Sequence, residues 1–259
     1  MKTKYPIILV HGIVLKDWSF FKAFGRIEKV LKEEGYTVYT SNTDGFGTIK
    51  NNALQLKKQI YEILEKEHID KVNLIAHSKG GLDSKYMIKE LKMEDYVASL
   101  TTLCTPHQGS IVATKLLDMP NFLKKFIAFW INFWYKIFGD KKPDSLRVCM
   151  ELKKTTKIEI DSIITDSKVY CQSYSSKLVK AKDDFIMSIP LIFSRYYEKD
   201  ASDGLVSTES SIFGNYLGDC LDESISHSEI VDFMVKKKKK EKIYHFYKEL
   251  CLNLSKKGF

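Results

Sequence analysis

Glycine and proline are scarce, with 13 and five among 259 residues. Long flexible linkers are therefore not expected. The five cysteines (104, 149, 171, 220 and 251) are odd in number, widely spaced and include no C-x-x-C pair. Neither a zinc site nor a disulfide framework is indicated, and a reducing compartment is the simplest fit. The chain contains no G-x-G-x-x-G or Walker motif, so a nucleotide or redox cofactor is not called for. The N-terminal Met-Lys-Thr-Lys-Tyr-Pro runs directly into a strand and lacks an n-region, an h-region and a cleavage site. The expectation is a cytoplasmic protein, or a secreted one if the chain shown is a mature form. A membrane-spanning run of about 20 apolar residues is also missing. The most apolar stretch, 121–138, is interrupted by Lys124, Lys125, Asn132 and Lys136.

The residues present give a hydrophobic fraction of 44% and a charged fraction of 29%, both ordinary for a globular chain. A chain of this length suits one large domain and needs no disulfide or metal to fold. Lys and Arg number 41 against 33 Asp and Glu, a formal charge of +8. Much of that excess is local, in the run Lys236 to Lys240, which reads as a solvated surface stretch rather than a nucleic-acid or membrane patch.

Ile7 to Val10 is a continuous apolar run of the kind buried on both faces of a parallel sheet. Residues 17–34 place Trp18, Phe21, Phe24, Ile27, Val30 and Leu31 three or four apart, which predicts an amphipathic helix ended by Gly35. Strands are predicted at Tyr36–Thr40, Val72–Ala76 and Val97–Cys104, with helices over 51–67 and 79–91 between them. This alternation indicates βαβ units and a parallel sheet covered on both sides. The rhythm breaks at 121–138, where five Phe, two Trp and one Tyr fall within 18 positions. The stretch reads either as a buried helix filling the core or as a cap with an apolar inner face, and the interruption of the alternation favours the cap. A charged helical stretch (144–157), a strand candidate at Val169–Tyr174 and a second apolar stretch at Phe185–Tyr197, read as a strand, follow. The final helix, 242–255, aligns Ile243, Phe246, Tyr247, Leu250 and Leu254.

The strongest chemical signal is Ala76-His77-Ser78-Lys79-Gly80-Gly81, between a buried strand and a helix. A serine in such a turn is lifted above the sheet edge as a nucleophile, and small flanking residues are needed because backbone crowds it. The plainer alternative is a serine that caps a helix. In this architecture the chain order is serine, acid, histidine. Of the six histidines, only His107, His227 and His245 follow Ser78. His107 comes too early to leave room for an acid, and His245 lies within the final helix. His227, in a polar loop, is the expected base. Asp203, in Ser202-Asp203-Gly204, is the expected acid, with Asp200, Asp219 and Asp222 as competitors. Oxyanion donors are expected from the backbone N–H of Lys79 and of Ile13, the latter in the loop after the first strand.

Four segments carry a resemblance to a known family: Tyr5 to Gly12, His77 to Asp83, Thr101 to Ser110 and Asp203 to Ser207. Together they resemble bacterial triacylglycerol lipases of the α/β-hydrolase fold. The likeness covers the first 110 residues and 200–232, and leaves 111–195 without recognisable motifs. It implies a single α/β-hydrolase domain over 1–259 with a mobile helical lid at 111–160. It assigns nucleophile, acid and base to Ser78, Asp203 and His227, and the oxyanion hole to Ile13 and Lys79. It further implies a lipid or ester substrate, with transient lipid-surface contact through 121–138. Two departures stand out. Ala76 occupies the usual place of glycine, and Lys79 stands where an apolar residue is commoner, which is expected to alter the rim of the site. Some members hold a structural calcium, for which Glu229 with Asp183 or Asp184 would be the counterparts. No cofactor is otherwise required. The same residues would also serve acyl transfer to an alcohol, and a non-catalytic membrane- or partner-binding module is the rival from another class.

Overall fold

The computed structural model describes residues 2–13, 22–154 and 168–259. Six strands, all parallel, form one sheet in the order β2-β1-β3-β4-β5-β6. They are β1 (Ile7–Val10), β2 (Val38–Thr40), β3 (Val72–His77), β4 (Val97–Leu103), β5 (Tyr170–Ser175) and β6 (Asn215–Asp219). Every residue of β1, β3 and β4 is buried, as the unbroken apolar runs predict for strands covered on both faces.

The side-chain alternation of the strands separates two cores. Ile7, Leu9 and Ile75 point to one side, where helix α1 (Ile27–Glu33) and the C-terminal helix α9 (Lys237–Lys256) close over them. Ile8, Val10, Leu74 and Ala76 point to the other, against α2 (Ile49–Glu67) and α3 (Lys79–Glu90). Thr48 starts α2 by accepting the Asn51 N–H on its side chain. All five aligned apolar residues of the final helix are buried in the first core. Polar residues inside the sheet are paired across strands, Ser99 with Asn73 and Gln172 with Thr101, which meets the demand for buried hydrogen-bonding partners.

Four expectations need correction or extension. Of the helix expected over 17–34, the described part is helical from Ile27, with 22–26 outside it and Gly25 at positive φ; 14–21, with Trp18 and Phe21, lie outside the described residues. Phe185–Tyr197 is not a strand but helix α7. Its buried residues, Leu191 and Ser194, fall at helical spacing, and the Asp184 carboxylate caps it by accepting the Ile186 and Met187 N–H groups. Strand β6 was not anticipated, because an edge strand with mixed exposure and an internal Gly218 carries little apolar signal. The lysine run is not simply solvated. It opens α9, and Lys239 and Lys240 turn back onto Glu229 and Asp232.

Between β4 and β5 the chain leaves the sheet as α4 (Ile111–Leu117), α5 (Asn121–Ile137) and α6 (Ser145–Glu151), and between β5 and β6 a short α8 (Thr208–Ser211) follows α7. The far end of α5 is stitched to the loop after β2. The Asp140 carboxylate accepts the Gly45 and Phe46 N–H groups at 2.9 Å each, and Asp44 accepts the Lys142 N–H at 2.8 Å. Ala128 is the one fully buried residue of α5, while Phe122 and Phe126 are 76% and 62% exposed. The reading of this segment as a core helix is therefore overturned. Among the described residues no helix is long and apolar enough to cross a membrane. The charged stretch 144–157 is helical over Ser145–Glu151, and 155–157 lie outside the described residues.

The layering predicts a contrast between two leucines. Leu74→Ala, in the fully buried β3, should cost about 2–5 kcal/mol. Leu217→Ala, on the half-exposed edge strand β6, should change stability by less than about 0.5 kcal/mol. Urea-denaturation midpoints measure both, and equal shifts would contradict the assigned layers.

Candidate active site

β3 delivers the chain into α3 through Ser78, whose φ of 55° is a left-handed value that a non-glycine residue rarely adopts. The turn is held on both sides. Ser78 donates its N–H to the Leu103 carbonyl at 3.0 Å, and the Thr105 hydroxyl donates to the Ser78 carbonyl at 2.8 Å. Two glycines make room for it. A Cβ on Gly80 would lie 2.6 Å from the carbonyl oxygens of Val10 and His11, and one on Gly12 would lie 2.7 Å from the Ser78 Cβ. The end of β1 and the serine turn can approach this closely only without side chains there. Ala76, in the place where glycine is usual, is fully buried in the sheet core without disturbing the turn.

Three residues distant in the chain meet at this turn. His227 Nε2 lies 2.8 Å from Ser78 Oγ, and His227 Nδ1 lies 2.7 Å from Asp203 Oδ2. The other Asp203 oxygen accepts the Leu205 and Val206 N–H groups at 3.0 and 2.9 Å. The His227 N–H donates to the Asp203 carbonyl, so backbone as well as side chain joins the two loops. Gly204, at φ 113°, provides the tight reversal after the carboxylate. The three residues brought together are those the sequence nominated. The competitors go elsewhere: Asp200 accepts the Glu209 N–H, Asp219 pairs with Lys177, and His107 stacks on Phe213 with Lys85 and Thr102 on its ring nitrogens. His245 and Asp222 are exposed.

Lys79 opens α3, so its N–H has no carbonyl one turn earlier to receive it. A Cβ on Gly12 would be 3.0 Å from that nitrogen, which brings the loop bearing Ile13 next to it. The Lys79 side chain does not reach the rim, contrary to expectation. It is fully buried, and its ammonium donates to both Asp83 oxygens at 2.7 and 2.8 Å. Asn52 donates to the same carboxylate at 3.0 Å and to the Asp44 carbonyl at 2.8 Å. Burial pushes the Asp83 carboxyl up to about 6, against the opposing pull of Lys79 and Asn52.

His77 also joins the site. Its ring lies 4.6 Å from that of His227, and burial, reinforced by the neighbouring His227, holds its pKa well below the usual imidazole value. His77 therefore presents a neutral face to His227. Reasoning from the sequence missed this residue, Asp83, Asn52 and Lys239. Only the i, i+4 spacing of Lys79 and Asp83 offered a signal.

Ser78 and His227 open onto a cavity of about 500 Å³ whose walls are mainly apolar, among them Val112, Leu116, Ile131, Leu146 and Met187. This volume lies within the range of ligand pockets. The cavity is therefore walled by α4, α5, α6 and α7, the helices outside the sheet.

The counterparts of a calcium site do not fit a metal. Glu229 gives both oxygens to Lys239, at 3.0 and 2.7 Å, and accepts the Ser226 N–H. Asp184 is occupied by the cap of α7 and by the hydroxyls of Ser226 and Ser228, and Asp183 by Ser224. Among the described residues no group of three or more metal-binding side chains converges.

A parallel sheet with a strained serine turn, and a histidine and an aspartate in reach of it, defines an α/β-hydrolase. Comparison with known proteins narrows the class. Residues 6–182 match the model of a family described as palmitoyl protein thioesterase, and the chain belongs to this family. The match extends through 111–182, where motifs alone had given no guidance. The chain is 30% identical over 254 residues to triacylglycerol lipase 2 of Saccharomyces cerevisiae, covering 90% of this chain and 73% of that protein. It is 36% identical over 122 residues to a triacylglycerol lipase of Pseudarthrobacter phenanthrenivorans, covering 45% of this chain and 38% of that one. The structure of a metagenomic carboxyl esterase superposes with a TM-score of 0.70 at 16% identity, covering 98% of this chain and 76% of that one. At that identity the likeness shows the shared fold. The protein is a serine-type ester hydrolase with the α/β-hydrolase fold.

The buried ion pair beside Ser78 yields a stability prediction. Replacing the pair by apolar groups, as in Lys79→Met with Asp83→Leu, should leave stability near or above that of the wild type, because desolvation offsets the attraction within the pair. Because the Asp83 carboxyl is raised from 3.8 to about 6, folding takes up a proton between those values. The contribution of this group is thus full at low pH and is lost as pH rises through about 6. Urea unfolding of the single and double variants from pH 4 to 8 tests both statements. A double variant less stable than the wild type by about 3 kcal/mol or more would contradict the first, and an unchanged pH slope in Asp83→Asn the second.

Proposed function

We propose that the protein cleaves lipid-like carboxylic esters through an acyl-enzyme on Ser78. The observation that carries the proposal is the unbroken hydrogen-bond chain from Ser78 Oγ through His227 to Asp203. His227 Nε2 takes the hydroxyl proton as Oγ attacks the ester carbonyl, and Asp203 holds the opposite N–H and stabilises the imidazolium. The oxyanion is received by the Lys79 and Ile13 N–H groups, each worth roughly 3–4 kcal/mol in barrier lowering. His227 then protonates the departing alcohol. Water, deprotonated by the same imidazole, releases the acid and restores Ser78. No step passes through a metal or cofactor.

The acyl chain would lie in the apolar cavity, and the 111–160 segment would act as its lid. Support comes from the two-sided character of α5. Ile127, Ala128 and Ile131 face the cavity, while Phe126, Phe129 and Phe133 are exposed. An outer face this aromatic suits contact with a lipid surface. The family description favours a second leaving group on the same carbonyl, a thiol in place of an alcohol. Palmitoyl oxygen esters and palmitoyl thioesters assayed side by side separate the two.

Ser78→Ala should abolish release of p-nitrophenol from acyl esters, and Asp203→Asn should lower kcat by roughly 10⁴-fold. Full turnover in the alanine variant would refute the assignment. Replacing Phe126, Phe129 and Phe133 together by serine should reduce activity on emulsified long-chain esters at least about tenfold more than on soluble short-chain esters, because the loss of apolar area acts only at the lipid surface. An equal loss on both substrates would count against the lid.

A further inference from the structure

The lysine run 236–240 has no part in the chemistry above. It forms the first turn of α9, a position where the helix dipole disfavours cations. Something must compensate for lysines placed there, and the structure shows what does. Lys239 Nζ donates to both oxygens of Glu229, a carboxylate that is 3% exposed. Lys240 Nζ lies 3.7 Å from Asp232, whose other oxygen accepts the Arg26 N–H and the Tyr244 hydroxyl, both at 2.9 Å. Glu229 stands two residues after His227. Its Oε2 accepts the Ser226 N–H at 3.1 Å, and its own N–H donates to the Ser226 hydroxyl at 3.2 Å. Ser226 and Glu229 thus close a small ring of hydrogen bonds around His227, and the cation enters that ring from α9.

We propose that Lys239 is a positioning residue, a cation carried by the chain itself that holds the His227 loop through Glu229. The proposal rests on the role given to His227 above. The imidazole must keep Nε2 within reach of Ser78 Oγ while Nδ1 stays on Asp203, and a loop that drifts loses one contact or the other. Lys239 occupies both Glu229 oxygens. The loop is therefore held without a free ion, and the long α9, anchored in the core by Ile243, Tyr247 and Leu250, gives the cation a fixed base.

The test measures kcat and KM on a soluble short-chain p-nitrophenyl ester for the wild type, Lys239→Met, Lys239→Arg and Glu229→Gln. Lys237→Met, an exposed member of the run, is the charge control. Lys239→Met and Glu229→Gln should lower kcat about tenfold, the size expected from a sub-ångström misplacement of a reacting group, with KM nearly unchanged. Lys239→Arg should restore most of kcat, because it returns the cation. Wild-type kcat in folded Lys239→Met, or an equal loss in Lys237→Met, overturns the proposal. Should Lys239→Met fail to fold by circular dichroism, Glu229→Gln decides, and undiminished kcat there overturns it too. A melting temperature that rises with added calcium in the wild type but not in Glu229→Gln would also overturn it, since a free ion would then be competing for Glu229. Ser78→Ala keeps the two readings apart. Activity in that variant sinks the Ser78 assignment, whereas an inactive Ser78→Ala with a fully active Lys239→Met sinks only the clamp.

Discussion

The architecture depends on one strained residue. Ser78 sits at positive φ because the sheet, through Leu103, and the loop beyond it, through Thr105, grip its backbone from both sides. A turn of that kind persists only where surrounding structure over-determines it. The parallel strands β3 and β4 provide the grip, and the bare backbones of Gly12 and Gly80 allow β1 to close against it. Once the turn is in place, the hydroxyl stands at the C-terminal edge of the sheet, and the loops after β5 and β6 can bring a carboxylate and an imidazole to it.

Charge is handled in an unusual way around this turn. Two of the carboxylates that the chain buries are met by lysines from the same chain: Asp83 by Lys79, and Glu229 by Lys239. Neither pair faces the reacting groups. The second ties the His227 loop to a helix fixed in a hydrophobic core, whereas the first lies within α3 and is joined there by Asn52 of α2. Buried pairs of this sort contribute little net stability, because desolvation offsets the attraction. Their effect is on where a loop can sit. His77 completes the electrostatic setting, since a buried neutral imidazole beside His227 adds no repulsion when the base takes up its proton.

The helices outside the sheet follow a different rule. α5 and α7 are too apolar to be ordinary surface helices, yet most of their large side chains remain exposed. Their inner faces enclose the cavity above Ser78, and Asp184 joins the start of α7 to the His227 loop through Ser226 and Ser228. The walls of the cavity and the Ser78–His227–Asp203 cluster are thus parts of one hydrogen-bonded assembly, while the outer apolar surface of α5 and α7 stays exposed.

What could be read along the chain was what local pattern encodes. Apolar runs marked β1, β3 and β4, helical spacing marked α2, α3 and α9, and the small residues around Ser78, with the order of acid and base after it, singled out the three residues that meet. Periodicity lost its meaning where burial was partial: α7 looked like a strand because nearly all of its residues are apolar, and β6 was invisible because few of its residues are. The partners that only folding supplies were also hidden. Lys79 turned inward, away from the rim, because Asp83 lies one helical turn ahead and Asn52 closes over it from α2. Lys239 found Glu229 because α9 packs beneath the histidine loop. Sequence determined which groups meet at the turn, since that depends on residue type and local turn geometry. Tertiary structure decided what holds them, since a buried charge can choose its partner only once distant segments are packed together.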